Sequence, residues 1–199
     1  LDKVIKDGNR RYEEKFNKNL AQNAKKIENQ NNYFAILFNI RMALVNKNIY
    51  DTQKKVDIDI KRQETLVRLR NLIVNNFGVF VEQCNSGSLA FFNDINQCNK
   101  LFDLILDFQT KIRQELAHEN IKIDVISAVC IAGKHDRKET YIPKLEKLLS
   151  LSIPNKIMVL NEFRNRYNTL KEQTYEFTEL GTYALGEDLI EVLAVNKKA

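Results

Sequence analysis

EQCNSGSLAFF, residues 82–92, sets a polar tip with one glycine between two strand-like runs. Val, Phe, Leu and Cys crowd both sides, from GVFV (78–81) upstream to SLAFF downstream, and the turn chemistry of NSGS reads as a hairpin. Tips of this kind often carry a functional acid. This one offers Asn85, Ser86 and Ser88 instead.

Outward from the hairpin the elements alternate. YFAILFNIRMALV (33–45) is apolar and short enough for a buried strand. The polar stretch NKNIYDTQKKVDIDIKRQ (46–63) precedes a helix that lines up Leu66, Leu69, Ile73 and Phe77. Asn93 or Asp94 suits the N-cap of a second helix, whose core face is Leu101, Ile105, Phe108, Ile112 and Leu116. IKIDVISAVCIAG (121–133) reads as a strand buried on both faces.

KETYIPKLEKLLSLS (138–152) follows as a short helix with Ile142, Leu145 and Leu148 at helical spacing, stopped by Pro154 and Asn155. KIMVL (156–160) is a strand and NEFRNRYNTL (161–170) a helix. YEFTELGTYAL (175–185) and DLIEVLAV (188–195) close the chain as a hairpin around Gly186, Glu187 and Asp188. This order predicts an α/β sandwich, a mixed sheet mostly antiparallel in its centre with helices packed on it.

Before NQNN, the residues Tyr12, Phe16, Leu20, Ala24 and Ile27 share one face of a charged helix. Two readings stand for it: packing on the domain that follows, or a signalling helix or short dimer coiled coil. The expected division is a helical extension or linker over 1–31 and one domain over 32–199.

The 199 residues suffice for one well-buried domain. The net charge of +5 is spread among acids, as in KKVDIDIKRQE, so it describes a solvated surface and no nucleic-acid face. No apolar run reaches the ~20 residues of a membrane span, so no membrane contact is expected of this chain. Beginning at leucine without a signal peptide, it is expected to be a piece of a longer or processed protein, with a sensor or membrane anchor upstream. Cys84, Cys98 and Cys130 lack CxxC spacing, which suggests reduced thiols and a cytoplasmic location.

In order along the chain, AILFNIR (35–41), CNSGSLAFF (84–92), VISAVCIAGK (125–134), LEKLLSLSIPNKIMVLNEF (145–163) and FTELGTYALGEDLIEVLAV (177–195) resemble landmarks of the class III adenylate/guanylate cyclase catalytic domain. There a strand ends in Phe-x-Asp-Ile, a Gly-Asp-Gly hairpin follows, and a paired-glycine hairpin closes the domain. The resemblance runs from about Phe34 to Val195 and implies a cyclase-like sandwich with a ferredoxin-like core.

The same resemblance implies lost chemistry. The family's two metal-binding aspartates fall at Asn39 and Ser86, and hard divalent cations ordinarily need carboxylate oxygen. The purine-reading lysine falls near Glu82 and a second base-reading position near Thr140. The transition-state asparagine falls near Pro143 and its arginine near Lys147, where lysine keeps a charge without the bidentate fork. Family sites form at a head-to-tail dimer interface, which implies a homodimer or heterodimer here.

The expectation is therefore a catalytically silent cyclase homology domain, acting as a dimerising, nucleotide-binding, regulatory or sensing module. The alternatives are a divergent active cyclase with unconventional metal ligands, and an interaction domain with no nucleotide at all. No cofactor is expected, with Mg or Mn only for an active enzyme. Other chemistry is thin. His118 and His135 have no ligand partners at metal spacing, and Lys134, Arg137 and Lys138 form no P-loop. Asp57 and Asp59 read as surface charge; as residues on one strand face they would be substitute carboxylates only if their segment folded over the hairpin tip.

Overall fold

The computed structural model describes residues 33–44, 52–133 and 136–198. The helical extension expected over 1–31 lies outside these residues, as do Lys134 and His135.

Strand β1 (Tyr33–Leu44) is the spine. Its even residues Phe34, Ile36, Phe38 and Ile40 enter one apolar cluster, and Ala35 and Leu37 enter a second on the other side. A strand with both faces covered belongs in the middle of a sheet. β1 pairs antiparallel with β3 (Gly87–Phe92), from Phe34↔Phe92 to Phe38↔Ser88, and along its whole length with β4 (Ile121–Ala132). Adding β2 (Val81–Cys84), β5 (Ile157–Leu160), β6 (Tyr175–Leu185) and β7 (Asp188–Lys197) gives the order β2-β3-β1-β4-β5-β7-β6. Among the described strands only β4 and β5 pair in parallel. Parallel neighbours need a crossover, and helix α3 (Lys138–Ser150) lies on that connection.

Helices α1 (Thr52–Phe77), α2 (Cys98–Leu116) and α4 (Asn161–Tyr167) supply Leu69, Ile73, Leu101, Ile105, Phe163 and Tyr167 to the first cluster. Phe34 stacks on Phe92 there with centroids 4.8 Å apart. Among the described helices, α3 covers the second cluster, laying Leu145, Leu148 and Leu149 over Leu37, Ala128 and Cys130. The mixed, largely antiparallel sandwich expected from the sequence is the fold observed.

Two details differ from expectation. The polar stretch after β1 becomes helix from Thr52, well before the apolar stripe begins at Leu66. Val56 and Ile60 on α1 are exposed, so no buried apolar stripe announces this part of the helix. Asp57 and Asp59 thus ride on a helix, where residues two apart point in different directions and share no face. In addition, Asp94 caps a 3-10 turn (Ile95–Gln97) that leads into α2, accepting from the Asn96 amide at 2.9 Å. Among the described residues no helix is long and apolar enough to cross a membrane.

Candidate functional site

The hairpin tip is pressed onto β1 because Gly87 has no side chain. At φ +150, a Cβ on Gly87 would stand 2.3 Å from the Phe38 carbonyl oxygen and 3.1 Å from the Asn39 Cβ. That contact brings Ser86 beside Asn39. The Asn39 Nδ2 donates to the Ser86 carbonyl at 2.9 Å, and its Oδ1 accepts from the Ile40 amide at 2.7 Å. The Ser86 hydroxyl donates to the Glu146 carboxylate on α3. Asn39 and Ser86, matched to the family's two metal positions, are therefore neighbours in space.

β3 leaves β1 at the Phe38↔Ser88 pair, while β1 continues against β4 to Leu44↔Ile121. A cleft of about 830 Å³ opens along this uncovered part of β1. Its floor follows from the period of the strands. The face that is apolar at Leu37 and Ala128 becomes polar at Asn39, Arg41, Asp124 and Lys122. The walls are Ser86, the polar turns of α1 through Asp59 and Arg62, and the end of α3 through Glu146 and Leu149.

Arg41, Arg62 and Lys122 thus face Asp59, Asp124 and Glu146 around one space. Asp59 accepts from Arg62 at 3.3 Å, Asp124 is held by Arg113 from α2, and Glu146 is engaged by Ser86. The Arg41 Nη2 donates to the Leu149 carbonyl at 3.2 Å and ties β1 to the end of α3. Asp59 therefore reaches the cleft beside the hairpin tip, although by a helix and not by a strand.

The divalent metals that the cyclase resemblance implies do not fit these residues. Both functional atoms of the Asn39 amide are committed to backbone partners, and Ser86 spends its hydroxyl on Glu146. No group of three or more His, Cys, Asp or Glu among the described residues is arranged to hold a metal ion.

The remaining positions lie elsewhere. Glu82 on β2 forms an ion pair with Lys138 at the start of α3. Thr140, Pro143 and Lys147 are carried by α3, with Pro143 inside the helix, and neither they nor Glu82 line the cleft. Asp136 accepts from the Gly133 amide at 2.6 Å. His118 sits in the 3-10 turn after α2. Burial pushes the Tyr141 hydroxyl up to about 12, and its ring meets Phe91 edge-on at 5.5 Å. Sequence reasoning missed Arg41, Arg62, Lys122, Asp124 and Glu146, which come from separate elements without a shared motif.

Compared as a sequence, the chain matches no family model and no curated protein. Its fold is that of the class III adenylate and guanylate cyclase domains. It is similar to an adenylate/guanylate cyclase/hydrolase from Silicibacter pomeroyi, with 17% identity, TM-score 0.57, and 84% of this chain and 98% of that one covered. The adenylyl cyclase CyaB from P. aeruginosa gives 11% identity and TM-score 0.58 over 85% of this chain and 96% of the other. A non-canonical dimeric guanylyl cyclase domain from the aquatic fungus Blastocladiella emersonii gives 13% identity and TM-score 0.51, covering 85% and 98%.

Proposed function

We propose that this chain is a catalytically silent domain on the cyclase fold, which dimerises and takes a nucleotide in the Asn39–Ser86 cleft as a regulatory or sensing module. The observation that carries the silent reading is the closed hydrogen-bond chain Ile40–Asn39–Ser86–Glu146. It occupies the two positions where the resemblance calls for metal-binding carboxylates. A hydroxyl and a carboxamide bring no net charge to a divalent ion. Pro143 adds no side-chain donor, and Lys147 lacks the planar fork of arginine.

The nucleotide part of the reading is supported by the size of the cleft and its ring of polar groups from β1, β4, α1 and α3. The dimer part comes from the dimeric cyclase domain that shares the fold. One observation favours the enzymatic alternative: Asp59 and Glu146 bring carboxylates to the cleft that the two metal positions lack. Incubation with ATP, GTP, CTP and UTP and Mn²⁺, followed by assay for cyclic product, separates the two. Product formation overturns the silent reading, and binding without product supports it.

A further inference from the structure

The cleft in which Asn39 and Ser86 supply no carboxylate carries three fixed cations, set against the carboxylates of Asp59, Asp124 and Glu146. Arg41 comes from β1, Lys122 from β4 and Arg62 from α1, three elements meeting at one opening. The strand register puts the two floor residues close together, since Arg41 pairs with Asp124 and Ala43 with Lys122. Lys122 makes no ion pair among the described residues, because Asp124 is engaged by Arg113 instead. Arg62 gives a guanidinium nitrogen to Asp59, while its Nε is buried with no hydrogen-bond partner.

We propose that this chain binds the phosphate groups of its nucleotide without a divalent metal, using Arg41, Arg62 and Lys122 as the counter-charge. The proposal rests on the nucleotide reading above and deepens it. In a metal-dependent site the ion neutralises the phosphate oxygens. Here protein cations do so, with the exposed Lys122 ammonium as the donor available to an oxygen acceptor. The Arg41 guanidinium, anchored on the Leu149 carbonyl, adds charge at the floor. Glu146 and Asp59 remain in the walls and set a limit on how much anionic charge the cleft accepts.

The test is isothermal titration of the chain with ATP, GTP and inorganic tripolyphosphate, each in excess EDTA and again in Mg²⁺. The expected result is binding in EDTA within about threefold of that in Mg²⁺, weakening as salt is raised because charge attraction is screened. Lys122→Glu, at an exposed position, should weaken binding by about tenfold or more, a loss typical of one charge-assisted contact. Arg62→Lys keeps the charge but loses the planar guanidinium, and should weaken tripolyphosphate measurably while the circular dichroism spectrum is unchanged. Nucleotide binding that appears only with Mg²⁺ overturns this inference and leaves the nucleotide reading standing. Binding in EDTA that Lys122→Glu and Arg62→Lys both leave untouched also overturns it, since the anion then sits elsewhere. Binding by neither nucleotide nor tripolyphosphate in any condition overturns the nucleotide reading itself.

Discussion

Ser86, at the tip of the β2–β3 hairpin, donates its hydroxyl to the carboxylate of Glu146 on α3. The two residues lie 60 positions apart in the sequence, and this contact joins the hairpin to the helix. Arg41 to the Leu149 carbonyl and Glu82 to Lys138 tie the same helix to β1 and β2. Helix α3 is thereby held over the sheet by polar contacts near both of its ends.

Restoring one carboxylate should therefore harm the fold before it helps a metal. Ser86→Asp sets a second negative charge against Glu146 and removes the hydroxyl donor, costing about 1 kcal/mol. Thermal melts of Ser86→Asp, and of Ser86→Asp with Glu146→Gln, measure this. The single variant should melt below the parent, and the double variant should recover much of the loss.

Gly87→Ala tests how the site is assembled. The added Cβ would collide with the Phe38 carbonyl, at a backbone angle that side chains rarely adopt. The expected loss is about 2 kcal/mol or more in urea unfolding. A neutral result would mean that the hairpin does not press on β1 as described.

The thiols report burial. Burial pushes the Cys98 and Cys130 thiols up to about 12, so neither forms much thiolate near neutrality. Cys84 is partly exposed at the hairpin. Titration with a thiol-specific disulfide reagent at pH 8 should find one reactive group in the native chain, and all three cysteines in denaturant.

The terminal hairpin gives a pH dependence. Burial would raise the Asp103 carboxyl, but hydrogen bonds from Lys197 and Tyr175 and the Lys197 charge outweigh it and hold it below its ordinary range. A depressed acid stabilises the fold above its unfolded value of ~3.9, and that stability is lost as pH falls through the folded value. Asp103→Asn should lower the melting temperature near pH 7, and the gap to the parent should close as pH drops below about 4. A gap that stays constant down to pH 2 would remove Asp103 as the cause.

Much of the fold was legible because burial writes itself into spacing. Phe34, Ile36 and Phe38 alternate against Ala35 and Leu37, and Leu101, Ile105, Phe108 and Ile112 recur at helical steps. The start of α1 was not legible, because Val56 and Ile60 remain exposed and exposure imposes no apolar period. Within the site, the resemblance pointed to Asn39 and Ser86, and the structure brings them into hydrogen-bond contact. Glu146, Arg62 and Lys122 stayed hidden. Each lies among ordinary helix or strand charges, and only the third dimension gathers them.

The central claim is that the Asn39–Ser86 cleft takes a nucleotide and leaves it intact. The most direct measurement incubates the purified chain with ATP, GTP, CTP and UTP plus Mn²⁺, follows binding by calorimetry, and assays the same samples for cyclic product. The account predicts saturable heat with at least one nucleotide and no cyclic product above the protein-free control. Cyclic product that disappears in Glu146→Gln or Asp59→Asn would contradict it, and would make those carboxylates the metal ligands of an active enzyme.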